Sequence, residues 1–393
     1  MIEIQRKEDC CGCTACVNAC PVNCIQMQED TEGFKYPHVD SDHCVNCHNC
    51  EKVCPVINTP KNERKPAAFL ARTRDSELLS KCTSGGVFTE IAREIVKNGG
   101  IAYGVVYGES FNIQHERISN LTGIEKIPGS KYVQSDVGTI FAQVKEDVIA
   151  GNQVAFCGTP CQIAGLKNFL SKEYGNLLLI DLVCHGVPSP KLWRAYVDYI
   201  EKKHGKLRFA NFRSKRLGYH VSVMEEKFES GKTQIGSART NLMSKCFFQN
   251  AADRPICYEC PFKTVSRCSD LTIFDGWHAS EYIPGLKDDD KGYTVILVQS
   301  ERGEEALSEY GECFNLYEIN EERAISLDGS MAINSVKRPQ IREEFYSLLQ
   351  EYGIEKTVEK IFPITKKDYV VEDIKVIFKR LGILSMVKAL KKG

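Results

Sequence analysis

The sequence predicts a small α+β domain, then a larger α/β domain, then a helical tail, within a chain of 393 residues. Ten of the 19 cysteines fall in residues 10–54, which marks this segment as a small domain of its own. From residue 67 to about residue 320, short apolar runs alternate with longer amphipathic ones, a pattern typical of α/β layering. Residues 371–392 carry apolar side chains at helical spacing among lysines and arginines, which predicts a basic amphipathic helix.

The order of the elements follows from these patterns. We expect domains at residues 1–60, 64–335 and 336–393, because the polar stretch 58–66 has the composition of a linker. The predicted strands lie near residues 67–71, 101–106, 153–157, 177–183, 271–274 and 293–298. The predicted helices lie near residues 85–98, 138–150, 160–171, 190–203, 302–310 and 337–352.

Composition excludes several classes of function. The net charge of −1 excludes a nucleic-acid-binding surface, which needs a large basic excess against phosphates. The longest apolar stretch, residues 177–184, contains Asp181 and is far shorter than the roughly 20 apolar residues of a membrane-spanning helix. The odd number of cysteines and the polar start of the chain argue against a secreted disulfide scaffold. We therefore expect a cytoplasmic protein with metal-bound thiolates and no transmembrane segment.

Two cysteine motifs in the first 60 residues have the same spacing, Cys-x2-Cys-x2-Cys-x3-Cys followed by proline. They comprise Cys10, Cys13, Cys16 and Cys20, and then Cys44, Cys47, Cys50 and Cys54. This is the spacing of bacterial ferredoxins with two [4Fe-4S] clusters, in which the fourth cysteine of each motif binds the other cluster. Cys54 is thus expected on the first cluster and Cys20 on the second. Cys11 and Cys24 are left over.

Other metal groups explain these motifs less well. Tetrahedral zinc needs four ligands per site, and a zinc site would not explain why a third cysteine follows each Cys-x2-Cys pair after two further residues. Residues 44–48 match a c-type haem attachment string, but the ferredoxin spacing already uses their cysteines. Two such clusters carry single electrons and have no substrate chemistry, so a two-electron reaction would need a flavin or another cofactor elsewhere in the chain.

A second, dispersed set of cysteines lies in the larger domain. Cys157 and Cys161 surround the end of one predicted strand, Cys184 ends another, and Cys257 and Cys260 form a Cys-x2-Cys pair. Ligands bind at the carboxyl edge of parallel strands, so these segments can converge there and hold a third cluster. A zinc site, a redox disulfide between Cys157 and Cys161, and unrelated buried thiols are the alternatives.

Nucleotide-binding signals are limited to two segments. No G-x-G-x-x-G follows a strand, and no Walker motif occurs. Residues 83–87, Thr-Ser-Gly-Gly-Val, open a predicted helix, so their amides and hydroxyls can face a phosphate. A plain helix N-cap with tightly packed glycines explains them equally. Residues 129–135 offer a cation, an aromatic face and short polar groups, or form an ordinary polar strand.

Five segments together resemble the coenzyme F-420 hydrogenase/dehydrogenase beta-subunit family, in the form with an N-terminal two-cluster ferredoxin domain. They are residues 83–88, 129–135, 156–162, 184–189 and 257–263, and the resemblance spans roughly residues 8–300. One departure is that the chain reads Phe-Asp-Gly-Trp-His at residues 274–278, where the family reads Gly-Asp-Phe-Trp-Gly. If this turn shapes the flavin or substrate pocket, the departure affects the prediction of the substrate and leaves the prediction of the cluster chemistry unchanged.

The resemblance implies a ferredoxin-like two-cluster domain followed by a larger α/β flavin-binding domain. It implies FAD, together with a third [4Fe-4S] cluster whose ligands would be Cys161, Cys184, Cys257 and Cys260. The residues implied at the flavin are Ser84, Gly85, Gly86, Lys131 and Tyr132.

These expectations combine into an iron–sulfur flavoprotein oxidoreductase. The flavin would exchange a hydride with a deazaflavin coenzyme, and the clusters would pass single electrons to or from a redox partner such as a ferredoxin. His185 is a candidate proton donor, or else a hydrogen-bonded structural histidine. The alternatives are an electron-transfer or assembly subunit with clusters but no flavin, and a reductase of a disulfide or an organic acceptor. The tail helix is expected either to dock on the protein or to contact a membrane surface or partner.

Overall fold

The computed structural model describes residues 1–382. The chain forms two compact units. The first unit comprises residues 1–191 and 253–337, and the second comprises residues 192–252 with the described residues from 338 onward. None of the helices within the described residues has both the length and the apolar character that a bilayer-spanning segment needs.

The six predicted strands and the six predicted helices are all present, among further and mostly shorter elements that were not predicted. The strands are β1 (Ile25–Glu29), β2 (Lys35–Val39), β3 (Ala67–Thr73), β4 (Ile101–Tyr107), β5 (Ile113–Ile118), β6 (Val154–Gly158), β7 (Leu177–Leu182), β8 (Leu207–Ser214), β9 (Val223–Phe228), β10 (Thr233–Gly236), β11 (Leu271–Asp275), β12 (Thr294–Val298) and β13 (Phe314–Ile319). The α-helices are α1 (Ala15–Asn18), α2 (Asn49–Lys52), α3 (Ser76–Lys81), α4 (Val87–Lys97), α5 (Leu121–Ile124), α6 (Ile140–Ile149), α7 (Pro160–Leu170), α8 (Pro190–His204), α9 (Leu242–Phe248), α10 (Ala279–Tyr282), α11 (Glu301–Tyr310), α12 (Glu321–Leu327), α13 (Ser330–Ile333), α14 (Arg342–Ile361) and α15 (Lys366–Arg380).

An eight-stranded sheet organises the first unit, in the order β13-β3-β12-β11-β7-β6-β4-β5. The central strands β11, β7, β6 and β4 are parallel, and the strands on either side pair antiparallel with their neighbours. Cys157 lies opposite Ile180 and Gly158 opposite Asp181, so β6 and β7 end at the same edge. The α/β character is confirmed, although the sheet is mixed. The sequence analysis missed β5 and β13.

Alternating side chains of the strands build a separate core on each face of this sheet, as the pleat requires. On β6, Ala155 and Cys157 join one core with α4 and α11, whereas Val154 and Phe156 join the other with α6 and α7. The second core also contains Cys11, Cys13 and Cys257. The cysteine-rich segment therefore packs on the face that carries α6 and α7.

α7 begins where β6 ends, and its start is strongly specified. Thr159 and Gln162 form a capping box, and Pro160 occupies the first helical turn. These groups satisfy backbone amides that would otherwise lack partners at the helix end. Cys161 is thereby held in the first turn of α7, directly beyond the carboxyl end of β6.

The second unit has its own antiparallel sheet, in the order β10-β9-β8, which the sequence analysis did not predict. Trp193 of α8 is 1% exposed, and its ring centroid lies 5.1 Å from that of Phe212 in β8. α14 is interrupted at Gly353, whose φ of 72° lies in the left-handed region that favours glycine.

The predicted tail helix is present in part. α15 covers Lys366–Arg380, and Ile374, Ile377 and Leu381 are exposed. Leu384, Val387 and Leu390, which complete the predicted apolar face, lie outside the described residues. Contact of this helix with a membrane surface or a partner stays a prediction.

Candidate functional site

Cysteines from both ferredoxin-like motifs line a first cavity. It is lined by Cys10, Cys13 and Cys16 of the first motif and by Cys54 of the second, with Cys11 beside them, and it has about 320 Å³ of empty space. Burial, followed by the neighbouring Cys10 and Cys54, raises the pKa of Cys16 to about 12. The remaining wall is largely apolar, and includes Ile2, Ile4 and Val56.

A second cavity has the reciprocal composition. It is lined by Cys44, Cys47 and Cys50 of the second motif and by Cys20 of the first, and it also has about 320 Å³ of empty space. Cys24 joins this wall, with its sulfur 3.5 Å from that of Cys20. The structure therefore groups the eight motif cysteines in the crossed arrangement expected from their spacing.

The backbone curls in the same way around both cavities. Gly12 and Thr14 of the first motif have positive φ, as do Asn46 and His48 at the matching positions of the second. Such left-handed residues turn successive amides inward, a geometry common at iron–sulfur sites. The amide of Gly12 donates to Cys10 Sγ at 3.4 Å, and that of Ile2 donates to Cys50 Sγ at 3.3 Å. Four converging thiols and inward amides fit a [4Fe-4S] cluster in each cavity.

The dispersed cysteines also converge, from three separate segments of the first unit. Burial, together with the nearby thiols of Cys161 and Cys260, raises the pKa of Cys184 to about 12. Burial also raises the pKa of Cys257, with added contributions from Asp253, Cys184 and Cys260. These four thiols are thus close neighbours. Thr159 Oγ1 lies 3.1 Å from Cys161 Sγ, and Lys263 Nζ donates to the carbonyl of Cys184 at 2.5 Å.

Cys157 does not join this group, because strand alternation directs its side chain to the opposite core. Cys161 instead packs with the core that contains Cys257, Cys11 and Cys13. All 19 cysteines lie in the described part of the chain, and none of them forms a disulfide there. Within that part, no group of three or more His, Cys, Asp or Glu side chains surrounds a single metal-ion position.

Cys11 connects the first cavity to the dispersed group. A hydrogen bond with Cys11, followed by burial, raises the pKa of Cys161 well above its usual range. Cys11 also lines the first cavity beside Cys10 and Cys13. The sequence analysis left Cys11 unassigned, because it has no place in the ferredoxin spacing. Only the packing of the first motif against α7 indicates its position.

The two segments predicted at the flavin meet in the structure. The amide of Ser130 donates to Thr83 Oγ1 at 2.9 Å, and Gly86, with φ of 82°, is the N-cap of α4. Their polar atoms, however, have partners within the protein: Ser84 Oγ donates to the carbonyl of Tyr293, and the Gly85 amide donates to Thr294 Oγ1 at 2.8 Å. A Cβ on Gly85 would lie 2.3 Å from the carbonyl oxygen of Ala71, which accounts for glycine there.

Lys131 is likewise engaged within its own loop. Its Nζ donates to the carbonyl of Ile127 at 2.8 Å and to that of Gly129 at 3.1 Å, and it lies 5.4 Å from the centre of the Tyr107 ring. Burial lowers the pKa of Lys131 to about 7, while the carbonyl oxygens favour the charged form. Tyr132 follows directly and is half-buried. These polar groups thus bond within the protein as placed, and their contact with a flavin stays a prediction.

His185 is half-buried and directly follows Cys184, and its role as a proton donor stays a prediction. The sequence analysis missed a second histidine site. His278, in the segment that departs from the family pattern, lies with Nδ1 2.6 Å from Asp328 Oδ1, and Tyr282 donates to Asp328 Oδ2 at 2.7 Å. Asp328 is far away in sequence and has no motif, so no local signal predicts this pairing.

The paired cavities and the α/β sheet define an iron–sulfur protein whose two-cluster segment packs on a larger sheet domain. Residues 9–58 match the family described as 4Fe-4S dicluster domain. Residues 151–322 match the family described as the C terminus of the coenzyme F420 hydrogenase/dehydrogenase beta subunit. These two matches agree with the predicted resemblance to the coenzyme F420 hydrogenase/dehydrogenase beta-subunit family, which is confirmed for residues 151–322.

Several known proteins are similar to parts of this chain. A coenzyme F420-dependent sulfite reductase of Methanocaldococcus jannaschii is 25% identical over 334 residues, which is 83% of this chain and 50% of the reductase. A "Ferredoxin 7Fe" of Hydrogenibacillus schlegelii is 45% identical over 51 residues, 12% of this chain and 59% of that ferredoxin. The chain thus spans about half the length of these relatives. A chain of the F420-reducing [NiFe] hydrogenase complex from Methanosarcina barkeri is similar at a TM-score of 0.42 and 19% identity, covering 77% of this chain and 94% of that one.

Proposed function

We propose that this protein is an iron–sulfur flavoprotein oxidoreductase that transfers electrons between a two-electron coenzyme of the deazaflavin type and a one-electron redox partner. The observation that carries the proposal is the succession of three thiol groups within the first unit. Cys20 of the first motif lines the second cavity and Cys54 of the second motif lines the first cavity, so the two cavities adjoin. The first cavity adjoins the dispersed cysteine group through the contact between Cys11 and Cys161. Three adjacent clusters form a route for single electrons.

The residues assigned to the clusters are those that the structure groups together. The first cluster would be held by Cys10, Cys13, Cys16 and Cys54, the second by Cys20, Cys44, Cys47 and Cys50, and the third by Cys161, Cys184, Cys257 and Cys260. When bound, such clusters accept and release one electron each. Lys263 positions the Cys184 loop through its bonds to the carbonyls of Cys184 and Met331.

The redox partner would exchange electrons at the second cluster, because its surroundings are open. Cys47 is exposed, and Val45 beside it is 60% exposed. By contrast, Cys13, Cys16 and Cys54 of the first cavity are buried. A ferredoxin-type protein in the cytoplasm would fit this role, since small apolar patches around an exposed cluster suit brief contacts between electron carriers.

FAD is proposed as the group that exchanges a hydride with the coenzyme and supplies single electrons to the clusters. The family, and the F420-dependence in the name of the sulfite reductase relative, support the coenzyme class. The meeting of residues 83–86 with residues 129–131 is the proposed location. No chemical step is assigned to Ser84, Gly85 or Lys131, because their polar groups already bond within the protein.

The internal bonding of these groups favours a second candidate function, an electron carrier with clusters but no flavin. Quantitation of iron, acid-labile sulfide and released flavin on one anaerobic preparation of the full chain separates the two. About twelve irons and one FAD per chain support the oxidoreductase. About eight to twelve irons with no flavin, even after reconstitution with FAD, support the carrier.

The coenzyme is tested separately by steady-state assays of the loaded protein with a reduced deazaflavin, with NADH and with reduced ferredoxin. Turnover with the deazaflavin supports the proposal. Turnover with NADH alone contradicts the deazaflavin assignment while leaving the cluster route intact. Reduction of a disulfide or an organic acceptor with electrons from reduced ferredoxin would instead indicate the alternative function, a reductase of that substrate.

A further inference from the structure

Arg254 is a buried arginine whose backbone bonds to segments of the dispersed cysteine group and whose side chain bonds to the first cysteine motif. Its residue is 1% exposed, and its amide donates to the carbonyl of Val187 at 2.9 Å. The carbonyl of Arg254 accepts from the amide of Cys257 at 2.8 Å. The backbone is therefore fixed beside two segments of the dispersed cysteine group.

The side chain of Arg254 extends from there to the first cavity. Its Nε donates to the carbonyl of Cys10 at 2.7 Å, and its Nη2 lies 3.5 Å from Cys10 Sγ. Nη1 donates to Gln134 Oε1 at 2.9 Å, and Gln134 Nε2 in turn donates to the carbonyl of Cys11 at 2.9 Å. The guanidinium is thereby held in one orientation against the loop that begins the first motif.

The loop that begins the first motif packs closely against the Arg254 guanidinium. A Cβ on Gly12 would lie 2.8 Å from Arg254 Nη1, so any larger residue would displace the guanidinium. Gly12 also has a φ of 72°, which favours glycine. On the other side, the guanidinium carbon lies 4.3 Å from the centre of the Tyr36 ring, and Nη2 donates to the carbonyl of Lys35 at 2.9 Å.

Within the described residues no carboxylate forms an ion pair with this arginine, whose partners are carbonyls, an amide oxygen, aromatic rings and the Cys10 sulfur. A buried cation without a counter-charge is costly. A [4Fe-4S] cluster held by four thiolates carries net negative charge, and one more when reduced by one electron. A cluster in the first cavity would therefore provide the missing counter-charge, most strongly in its reduced state.

We propose that the positive charge of Arg254 raises the reduction potential of the first cluster and so favours the transfer of electrons onto the cluster that adjoins Cys161. This rests on the proposed function, in which Cys10, Cys13, Cys16 and Cys54 hold that cluster. Net charge and hydrogen bonds to the sulfurs are established determinants of such potentials, and outer partners of ligands tune metal sites strongly. Arg254 is a positioning and tuning residue, and it exchanges neither electron nor proton itself.

The test is an EPR-monitored redox titration of the anaerobically prepared full chain. A Cys13→Ser variant identifies the signal of the first cluster, because it should alter that signal alone. Arg254→Gln is expected to shift the potential of the first cluster to a more negative value and to leave the second cluster unchanged. Arg254→Lys, which retains the charge, is expected to stay close to the wild type. Arg117→Gln is the matched control, because Arg117 pairs with Asp147 at 2.7 Å and touches no cluster cysteine.

Each outcome decides the proposal. An unshifted first-cluster potential in Arg254→Gln, with both clusters present, overturns it. Equal shifts in Arg254→Gln and Arg254→Lys also overturn it, because charge would then not be the cause. If Arg254→Gln fails to fold, Gln134→Glu places a negative charge against the same guanidinium; it should shift the potential in the same direction, and an unchanged value overturns the proposal. Absence of both N-terminal clusters from the wild-type protein would instead contradict the proposed function.

Discussion

Gly165, in the middle of α7, packs directly against Cys13: a methyl group on Gly165 would lie 2.8 Å from Cys13 Sγ. The absence of a side chain at this helix position thus allows the cysteine loop of the first motif to reach the helix that begins with Pro160 and Cys161. The contact brings the first cavity close to the dispersed cysteine group. It therefore links the two-cluster segment to the sheet at the point where the proposed electron route passes between them.

Gly165→Ala should disturb the first cluster and lower stability. The added methyl must displace either Cys13 or α7, and overpacking of this kind costs about 1–3 kcal/mol. We expect a lower thermal unfolding midpoint and a weakened or altered EPR signal of the first cluster. Gly175→Ala is the control, because a Cβ there meets no atom within 4 Å. An unchanged first-cluster signal in Gly165→Ala would mean that the contact does not constrain the ligand loop.

Cys54→Ser should affect the cluster held by the first motif, although Cys54 belongs to the second. The reason is that Cys54 lines the cavity of Cys10, Cys13 and Cys16. EPR spectra and iron content should resemble those of Cys13→Ser. Cys20→Ser is the reciprocal control and should affect the other cluster. Resemblance of Cys54→Ser to Cys47→Ser would disprove the crossed assignment.

Cys161→Ser should remove a third cluster and spare the two N-terminal ones. We expect the loss of about four of about twelve irons per chain, because one of four ligands is replaced. Cys157→Ser is a close control: Cys157 lies four residues before Cys161 and is buried, but it packs in the core on the opposite face of the sheet. Iron and sulfide analysis measures both variants. Equal iron content in Cys161→Ser and the wild type would contradict the third ligand set.

Glu226 should make the second unit less stable as the pH rises. Burial, and to a smaller extent neighbouring Glu225, raises the pKa of Glu226 from 4.5 to about 7, against the opposing effect of Tyr196 and Asn241, which donate to its Oε1. The folded state then binds the proton more tightly than the unfolded state, so stability is greatest below pH 4.5 and falls progressively up to about pH 7. The total change is about 3 kcal/mol.

Glu226→Gln should remove this pH dependence, because glutamine is neutral at every pH in the window. The measurement is the difference in thermal unfolding midpoint between variant and wild type across that range. The variant should gain relative stability as the pH rises. Glu229→Gln, on the exposed part of the same hairpin, is the control and should show no such trend. A constant difference for Glu226→Gln would show that Glu226 does not titrate in this window.

Local patterns in the sequence predicted six of the eight strands of the large sheet, its long helices and both ferredoxin motifs. Within each of these strands and helices the apolar residues recur with the period of that element, so a single segment is enough to predict it, as for β6 and the α7 that follows. The spacing of Cys10, Cys13 and Cys16 is also local, because three cysteines separated by two residues each can direct their thiols to one cluster. The antiparallel sheet of the second unit was missed, because its strands mix polar and apolar residues without regular alternation and β9 buries Glu225 and Glu226.

The site was predictable only where a motif marked it. Cys161, Cys184, Cys257 and Cys260 were identified through the family resemblance, and their proximity results from the alignment of β6 and β7 at one edge. Arg254 had no sequence signal, because its role depends on contacts with Cys10 across 244 positions. Nor could the sequence show that Ser84 and Lys131 bond within the protein.

The sequence by itself determined the spacing of the motif cysteines and the periodicity of the long helices and of most strands in the large sheet, because spacing and periodicity act over a few residues. The tertiary structure alone decided that Cys157 faces away from Cys161, that Cys11 lies against Cys161, and that a buried cation faces Cys10. These relationships depend on the pleat of the sheet and on close packing between distant segments. Such packing follows from the whole fold, and no local pattern encodes it.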